Sequence, residues 1–284
     1  MEIPLLVSVI ITTKNEERNL GRLLASIQKE TYQDYEIIVV DNGSADQTKA
    51  IARKYTELVF DKGPERSAQR NFGVERAIGQ FVLILDADME LEPRVLTECV
   101  STMQQTESKA LVIPERSVGQ GFWAQCKAFE RSFYVGDESI EAARFFDRKV
   151  FLEFGGYDTA ITGPEDFDLP WRIRQKHGDS AIGRIASFII HHEGHPTLWR
   201  LMKKKFYYGQ HAKAYFDKHP QLRLTQGNLL FRPAFFRGWK RLLQQPVLAI
   251  CMFFMRACEM LAAGSGFIVG LVSHSFDSTR STVI

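Results

Sequence analysis

From Leu5 to Thr12 the chain reads Leu-Leu-Val-Ser-Val-Ile-Ile-Thr, an apolar and β-branched run of the kind buried on both faces of a parallel sheet. The polar break Thr13-Lys14-Asn15 carries helix-capping chemistry, and Leu20, Leu23, Leu24 and Ile27 then recur at helical spacing. The alternation repeats along the chain. Tyr35–Val40 predicts a second buried strand, Thr48–Tyr55 a helix, Val59–Phe60 a brief strand, Ser67–Ile78 a helix and Gln80–Leu85 another strand. Strands alternating with helices predict an α/β fold around a mostly parallel sheet with right-handed crossovers. Such sheets bind ligands beyond the carboxyl ends of their strands, and Asp41 and Asp86 each follow an apolar run at that edge. Two acids so placed also suit helix capping, so position alone leaves both readings open.

After Asp88 the pattern loosens. Glu92-Pro93 opens a predicted helix, Ala110–Ile113 reads as a strand and Gly119–Phe133 as an aromatic-rich helix. Ser187–Ile190 reads as a last strand before His191-His192-Glu193. Charge then divides the chain. Residues 1–195 carry 23 basic and 31 acidic side chains, whereas residues 196–245 carry eleven basic ones and only Asp217 as an acid. That basic stretch is interleaved with Trp199, Phe206, Tyr207, Tyr208, Tyr215, Phe231, Phe235, Phe236 and Trp239, a mixture that suits an anionic membrane interface. No nucleic-acid motif accompanies it, so no nucleic-acid partner is expected.

Val247–Val272 is mostly apolar but contains Arg256 and Glu259, and Pro246 with the Gly264-Ser-Gly266 sequence is expected to split it into two short pieces. A re-entrant or interfacial helical pair is the expectation, with an oligomer interface as the soluble alternative. The organisation expected is a body at 1–195, an interfacial segment at 196–245 and a membrane-associated or oligomerising segment at 246–284. Cys99, Cys126, Cys251 and Cys258 show no Cys-x-x-Cys spacing, and Met1 to Val9 lacks a basic n-region. The expected location is therefore the cytoplasmic face of the cell membrane.

The chemistry concentrates at Asp86-Ala87-Asp88. Two carboxylates one residue apart at a strand exit suit a hard cation such as Mn²⁺ or Mg²⁺, which shares its shell with substrate phosphates. The cluster His191-His192-Glu193-Gly194-His195 lacks the His-Glu-x-x-His spacing of a zinc helix, and neighbouring histidines on a strand point to opposite faces.

Five motifs occur in series: Val7-Ser-Val-Ile-Ile-Thr-Thr-Lys-Asn-Glu-Glu17, Val40-Asp-Asn-Gly-Ser-Ala-Asp46, Ala68-Gln-Arg-Asn-Phe-Gly73, Leu85-Asp-Ala-Asp88 and Gly163-Pro-Glu-Asp-Phe-Asp-Leu169. Across roughly the first two-thirds of the chain they resemble the family 2 glycosyltransferases of GT-A fold. The resemblance implies that Thr12, Asn15, Glu16 and Asp41 bind the nucleotide of a UDP- or GDP-sugar, with Arg70 reaching its base or diphosphate and Asp86 shared between donor and metal. It implies Asp86, Asp88 and a histidine as metal ligands, His192 favoured and His191 the alternative. It places a general base in the pair Glu165-Asp166, Asp166 first and Glu165 second, although these acids also suit a helix N-terminus. Inversion at the anomeric carbon follows from the same resemblance.

The processive synthases of that family carry Gln-x-x-Arg-Trp. That motif is absent here, and Trp171-Arg172 has the reverse order in a different context, which points to one sugar added per encounter. The expected acceptor is a glycan or a lipid-linked molecule. Transfer to polyprenyl phosphate, or sugar-nucleotide binding without turnover, are the alternatives, and a homo-oligomer is possible.

Overall fold

The computed structural model describes residues 5–137, 140–220 and 232–280, with side chains through residue 272. Phe231, counted above among the interfacial aromatics, lies outside the described residues. The chain forms two compact units. The first comprises Met1–Arg116, Glu141–Thr159 and Glu165–His192, and the second comprises Ser117–Ile140, Ala160–Pro164 and Glu193–Ile284. Residues 117–140 therefore associate with the C-terminal stretch rather than with the body to which the sequence pattern assigned them.

The first unit is built on a seven-stranded sheet in the order β3-β2-β1-β4-β8-β6-β9. Its strands are β1 (Val7–Thr13), β2 (Tyr35–Asp41), β3 (Val59–Asp61), β4 (Phe81–Asp86), β6 (Ala110–Val112), β8 (Ala143–Asp147) and β9 (Ile182–Arg184). The strands β3, β2, β1 and β4 are mutually parallel, while β8 runs antiparallel to both β4 and β6. All seven residues of β1 are buried, which is why its sequence shows no alternation.

One face of the sheet packs against α1 (Leu20–Ile27), α2 (Thr48–Ala52) and α4 (Val95–Gln105). The other packs against α3 (Arg66–Arg76), α6 (Arg148–Glu153) and α7 (Glu165–His177). The register aligns the strand ends: Thr13 pairs with Asp41, and Thr12 with Asp86. The sequence alternation has thus delivered hydroxyls and carboxylates to one edge.

A smaller sheet follows the order β5-β10-β7, with β5 at Met89–Leu91, β7 at Glu115–Val118 and β10 at Ile189–His192. The strand expected at Ser187–Ile190 is displaced by two residues, so both histidines lie inside it. Antiparallel pairing of β10 with β5 sets His191 opposite Met89, and the His192 amide donates to the Asp88 carbonyl.

The second unit is helical: α5 (Phe122–Ser132), α8 (Leu198–Lys218), α9 (Pro233–Arg237), α10 (Trp239–Gln244) and α11 (Pro246–Arg280). The expectation of two short apolar pieces is corrected here, because α11 is one helix running straight through Gly264-Ser-Gly266. The reason is packing. A Cβ at Gly266 would lie 2.1 Å from the Phe206 carbonyl oxygen, and one at Gly270 would lie 2.4 Å from that of Gln210. These glycines let the backbones of α8 and α11 meet, and the contact outweighs the loss of about 1 kcal/mol per glycine in helix propensity.

Candidate functional site

Arg70 is the hinge of the site, and a glycine determines where it stands. A Cβ on Gly73 would sit 2.4 Å from Ile10 Cγ2, so only a glycine lets α3 lie this close to β1. One turn earlier on the same helix, the fully buried Arg70 side chain reaches the strand ends. Its Nη2 donates to Asp86 Oδ1 and Oδ2 at 2.9 and 3.2 Å, and its Nη1 donates to Asp166 Oδ1 at 2.6 Å. Tyr157 lies beneath the guanidinium, 5.2 Å from ring centroid to Cζ. The turn that carries Tyr157 is tied to α3 by Asn71, whose amide group both donates to the Tyr157 carbonyl and accepts from its N–H.

Two further arginines complete the cationic part. Arg144, from β8, donates to Glu115 Oε1 at 2.6 Å and stands 4.0 Å from Asp86. Arg66 lies 3.1 Å from Glu165, which is also 3.7 Å from Arg70. The electrostatics follow from these pairs. Burial alone would raise the Asp86 carboxyl, yet Arg70, Arg66 and Arg144 hold it well below the usual carboxylate range. Glu165 goes the other way: burial, and then the charge of Asp166, push it up against the pull of Arg66 and Arg70. Glu16 is likewise raised by burial and then by the nearby charges of Asp88, Asp86 and Asp46, with Asn19 opposing.

The residues predicted to bind the nucleotide stand at the same edge. Thr12 Oγ1 donates to Asp86 Oδ1 at 3.2 Å. Asp41 is fully buried and accepts from Thr13 Oγ1, the Ser44 amide and Ser44 Oγ, which closes the loop after β2. Asn15, at φ 55°, joins the first and second loops: its amide donates to Ser44 Oγ and its Oδ1 accepts from Ala45. The Glu16 amide donates to Thr48 Oγ1, and its carboxylate accepts from Asn19.

The histidines sort differently from the sequence expectation. His192 Nε2 lies 2.8 Å from Glu90, on the other side of the strand from the site. His191 Nε2 lies 3.2 Å from Asp88 Oδ2, and its Nδ1 is 3.4 Å from Glu115 Oε2. Asp88 belongs to the turn between β4 and β5, where strand alternation no longer fixes side-chain direction, and its carboxylate meets the histidine that the pairing register would not have chosen. Among the described residues, no group of three or more His, Cys, Asp or Glu side chains stands close enough to hold a metal ion.

Sequence reasoning missed Arg144, Glu115, Arg66 and Tyr157. A sign of the first was visible, since Arg144 interrupts an apolar run beside Phe145 and Phe146. Nothing local marks the others.

Residues 8–160 match the family model described as Glycosyl transferase family 2, more than half of the chain. The chain belongs to this family. Among family 2 relatives and their neighbours it is similar to the glycosyltransferase AglE of Haloferax volcanii, 38% identical over 109 residues that make up 35% of this chain and 36% of that protein. It is 33% identical over 109 residues to a GalNAc(5)-diNAcBac-PP-undecaprenol beta-1,3-glucosyltransferase of Campylobacter jejuni, covering 35% of this chain and 33% of that one. The matched stretches thus span about a third of these relatives.

The fold is similar to that of the Pyrobaculum calidifontis mannosyltransferase PcManGT, solved with GDP-Man and Mn²⁺, at TM-score 0.64 and 21% identity over 92% of this chain and 86% of that one. It also resembles Staphylococcus aureus TarS 1-349 with UDP-GlcNAc, at TM-score 0.52 and 17% identity over 92% of this chain and 90% of that one. At such identities the likeness concerns the GT-A fold alone.

Proposed function

We propose that this family 2 chain is a cation-dependent, inverting glycosyltransferase that moves one sugar from a UDP- or GDP-sugar to a hydroxyl of a membrane-proximal or lipid-linked acceptor. The observation that carries the reading is the convergence of Asp86, Asp88, Arg70 and Asp166 at the carboxyl ends of β1, β2 and β4. Ligands bind at that edge of a parallel sheet.

Charge argues for a cation. Six carboxylates (Glu16, Asp86, Asp88, Glu115, Glu165 and Asp166) share the site with three guanidiniums, those of Arg66, Arg70 and Arg144. A diphosphate added to this excess of negative charge is repelled unless a cation accompanies it. The donor set, carboxylate oxygens with one imidazole, suits Mn²⁺ or Mg²⁺, ions that need only one or two carboxylates when substrate phosphates supply the rest. Asp88 and His191 would hold the ion, with Asp86 beside them. The same ion and a GDP-sugar accompany the PcManGT structure, and UDP-GlcNAc accompanies that of TarS. When bound, the cation supplies positive charge against the departing diphosphate.

The chain's own groups do the rest. Thr12, Asn15, Glu16 and Asp41 line the two loops where base and ribose would lie. Arg70 fixes the Asp166 carboxylate through a 2.6 Å hydrogen bond. Asp166 takes the proton of the acceptor hydroxyl as its oxygen attacks the anomeric carbon from the side opposite the leaving diphosphate. Asp166 suits this role better than Glu165 because its side chain is 19% exposed, against 2% for Glu165. One in-line displacement inverts the anomeric centre.

Membrane seating is supported by the apolar helix Pro246–Val272 and by the basic aromatic stretch before it.

The test is donor turnover with membrane-extracted acceptor. Asp88→Ala is expected to abolish Mn²⁺-dependent thermal stabilisation by UDP- and GDP-sugars. Asp166→Asn is expected to slow transfer by about 10²–10⁴-fold while donor binding persists. If Asp166→Asn keeps most of its activity, the acceptor is a phosphate, which needs no deprotonation, and the hydroxyl reading is overturned.

A further inference from the structure

We infer that α11 lies in the plane of a lipid surface as a monotopic element, and does not cross the bilayer. The inference rests on the membrane seating proposed above and states its geometry. By length the opposite would hold: the 27 residues Pro246–Val272 reach about 40 Å, more than the ~30 Å hydrocarbon core.

The arrangement of charge decides against spanning. Val247, Ile250, Phe254, Leu261, Ile268 and Val272 are all exposed. At about 100° per residue they fall within one narrow arc of the helix, and no charge interrupts that arc. The two charges of the segment, Arg256 and Glu259, are buried on the opposite side. There Glu259 Oε1 lies 2.8 Å from Lys127 of α5, and Arg256 pairs with Glu130 of α5. The helix therefore has one wholly apolar face and one face committed to protein.

Its neighbour is what a spanning helix could not carry. The helices α8 and α11 run side by side in the same direction. Leu201 packs with Met255, and further along both chains the Gly209 position meets Ala263 and that of Gly270 meets Gln210. Lys203, Lys204 and Lys205 of α8 are thus level with the middle of Pro246–Val272, and Lys203 and Lys204 are exposed. Were α11 to cross the membrane, these ammonium groups would stand near the bilayer midplane, where a charge costs most. Laid in the interface, the same arrangement escapes that cost. Arg200, Lys203, Lys204 and Lys218 share one exposed stripe of α8, on the side of that helix opposite Gly209, which faces α11, so they stay in water while the apolar arc of α11 meets acyl chains.

The test uses the full chain. Flotation with phosphatidylglycerol–phosphatidylcholine vesicles is expected to recover the protein. The doubly substituted Leu261→Gln/Ile268→Gln chain should bind at least tenfold less, and Lys203→Glu/Lys204→Glu should bind like the parent. In inverted membrane vesicles, Lys240→Cys and a cysteine appended after Ile284 are labelled with an impermeant maleimide and read by peptide mass spectrometry. Reaction of both from the same side supports the in-plane seat. Reaction from opposite sides overturns it, as do unchanged vesicle binding by the Leu261→Gln/Ile268→Gln chain or a soluble dimer formed through this stripe. Donor turnover in detergent, measured alongside, reports separately on the transferase reading.

Discussion

Two buried clusters of charge, one in each unit, show how the same residue types serve opposite ends. In the first unit Arg70 is fully buried, yet its partners Asp86 and Asp166 keep about a fifth of their side-chain surface open, and Asp88 a third. In the second unit Lys127, Glu130, Arg256 and Glu259 are all buried, none more than a tenth exposed. Lys127 lies 2.8 Å from both Glu130 and Glu259, and Arg256 donates to Tyr134 Oη at 2.5 Å. Burial alone would raise the Glu130 carboxyl, but Lys127 and Arg256 hold it far below its ordinary range. The open cluster has acids in excess, which leaves room for a ligand's positive charge. The closed cluster has its charges matched within the protein and serves to fasten α11 to α5.

The comparison breaks most sharply at Arg256. Removing one member of a buried ion network leaves its partners charged and unpaired, at a cost of about 3–5 kcal/mol. Arg256→Met is therefore expected to lower the unfolding free energy by about that much, read from urea denaturation in detergent. Donor affinity, measured on the folded protein, should stay unchanged. A variant that stays within about 0.5 kcal/mol of the parent would mean that the pair is as weak as an exposed surface contact, and the fastening role would be lost.

The two histidines of β10, His191 in the open cluster and His192 turned away from it, sharpen the contrast. His191→Ala removes the imidazole beside Asp88, and Glu115→Gln weakens the group facing its other nitrogen. Losses of this kind typically lower metal affinity 10–100-fold. Mn²⁺ titration in the presence of a nucleoside diphosphate is expected to show such a loss for His191→Ala and a smaller one for Glu115→Gln. His192→Ala, which severs only the contact with Glu90, should bind Mn²⁺ like the parent. Equal losses for the two histidines would remove His191 from the proposed ligand set.

What could be read in advance divides along the same line. The strands β1, β2 and β4 and the acids at their ends were legible because a parallel sheet writes its buried strands as unbroken apolar runs. Asp41 and Asp86 terminate those runs visibly. Arg70 and its acid partners Asp86 and Asp166 were legible through their motifs, but Tyr157 beneath the guanidinium and Arg144 beside Asp86 were not. These two come from segments more than seventy residues from Arg70, and no local spacing encodes that distance. The choice between His191 and His192 depended on the turn that carries Asp88, where strand alternation no longer sets the direction of a side chain. The continuity of α11 was hidden for another reason: helix propensity penalises its glycines, and only the approach of α8 shows what Gly266 and Gly270 contribute.

Glu30 supplies the mildest test, because it is a buried acid with no cation beside it. It is 2% exposed, its Oε1 accepts from the Leu96 amide at the start of α4, and its Oε2 has no hydrogen-bond partner among the described residues. Burial raises its carboxyl from 4.5 to about 7, with the amides of Leu96, Val95 and Thr31 opposing. The folded protein thus holds this proton more tightly than the unfolded chain does. The stability it confers is fully present below pH 4.5 and is lost as pH rises through 7. Glu30→Gln keeps an acceptor for Leu96 and removes the charge. Chemical denaturation should find the variant about as stable as the parent near pH 4.5, and on the order of 1–2 kcal/mol more stable at pH 8. A variant less stable at pH 8 would mean that the ionised carboxylate is stabilised by the helix N-terminus more than it is penalised by burial. An uncompensated buried acid would then be no burden to this fold, and charge matching would no longer be what separates the two clusters.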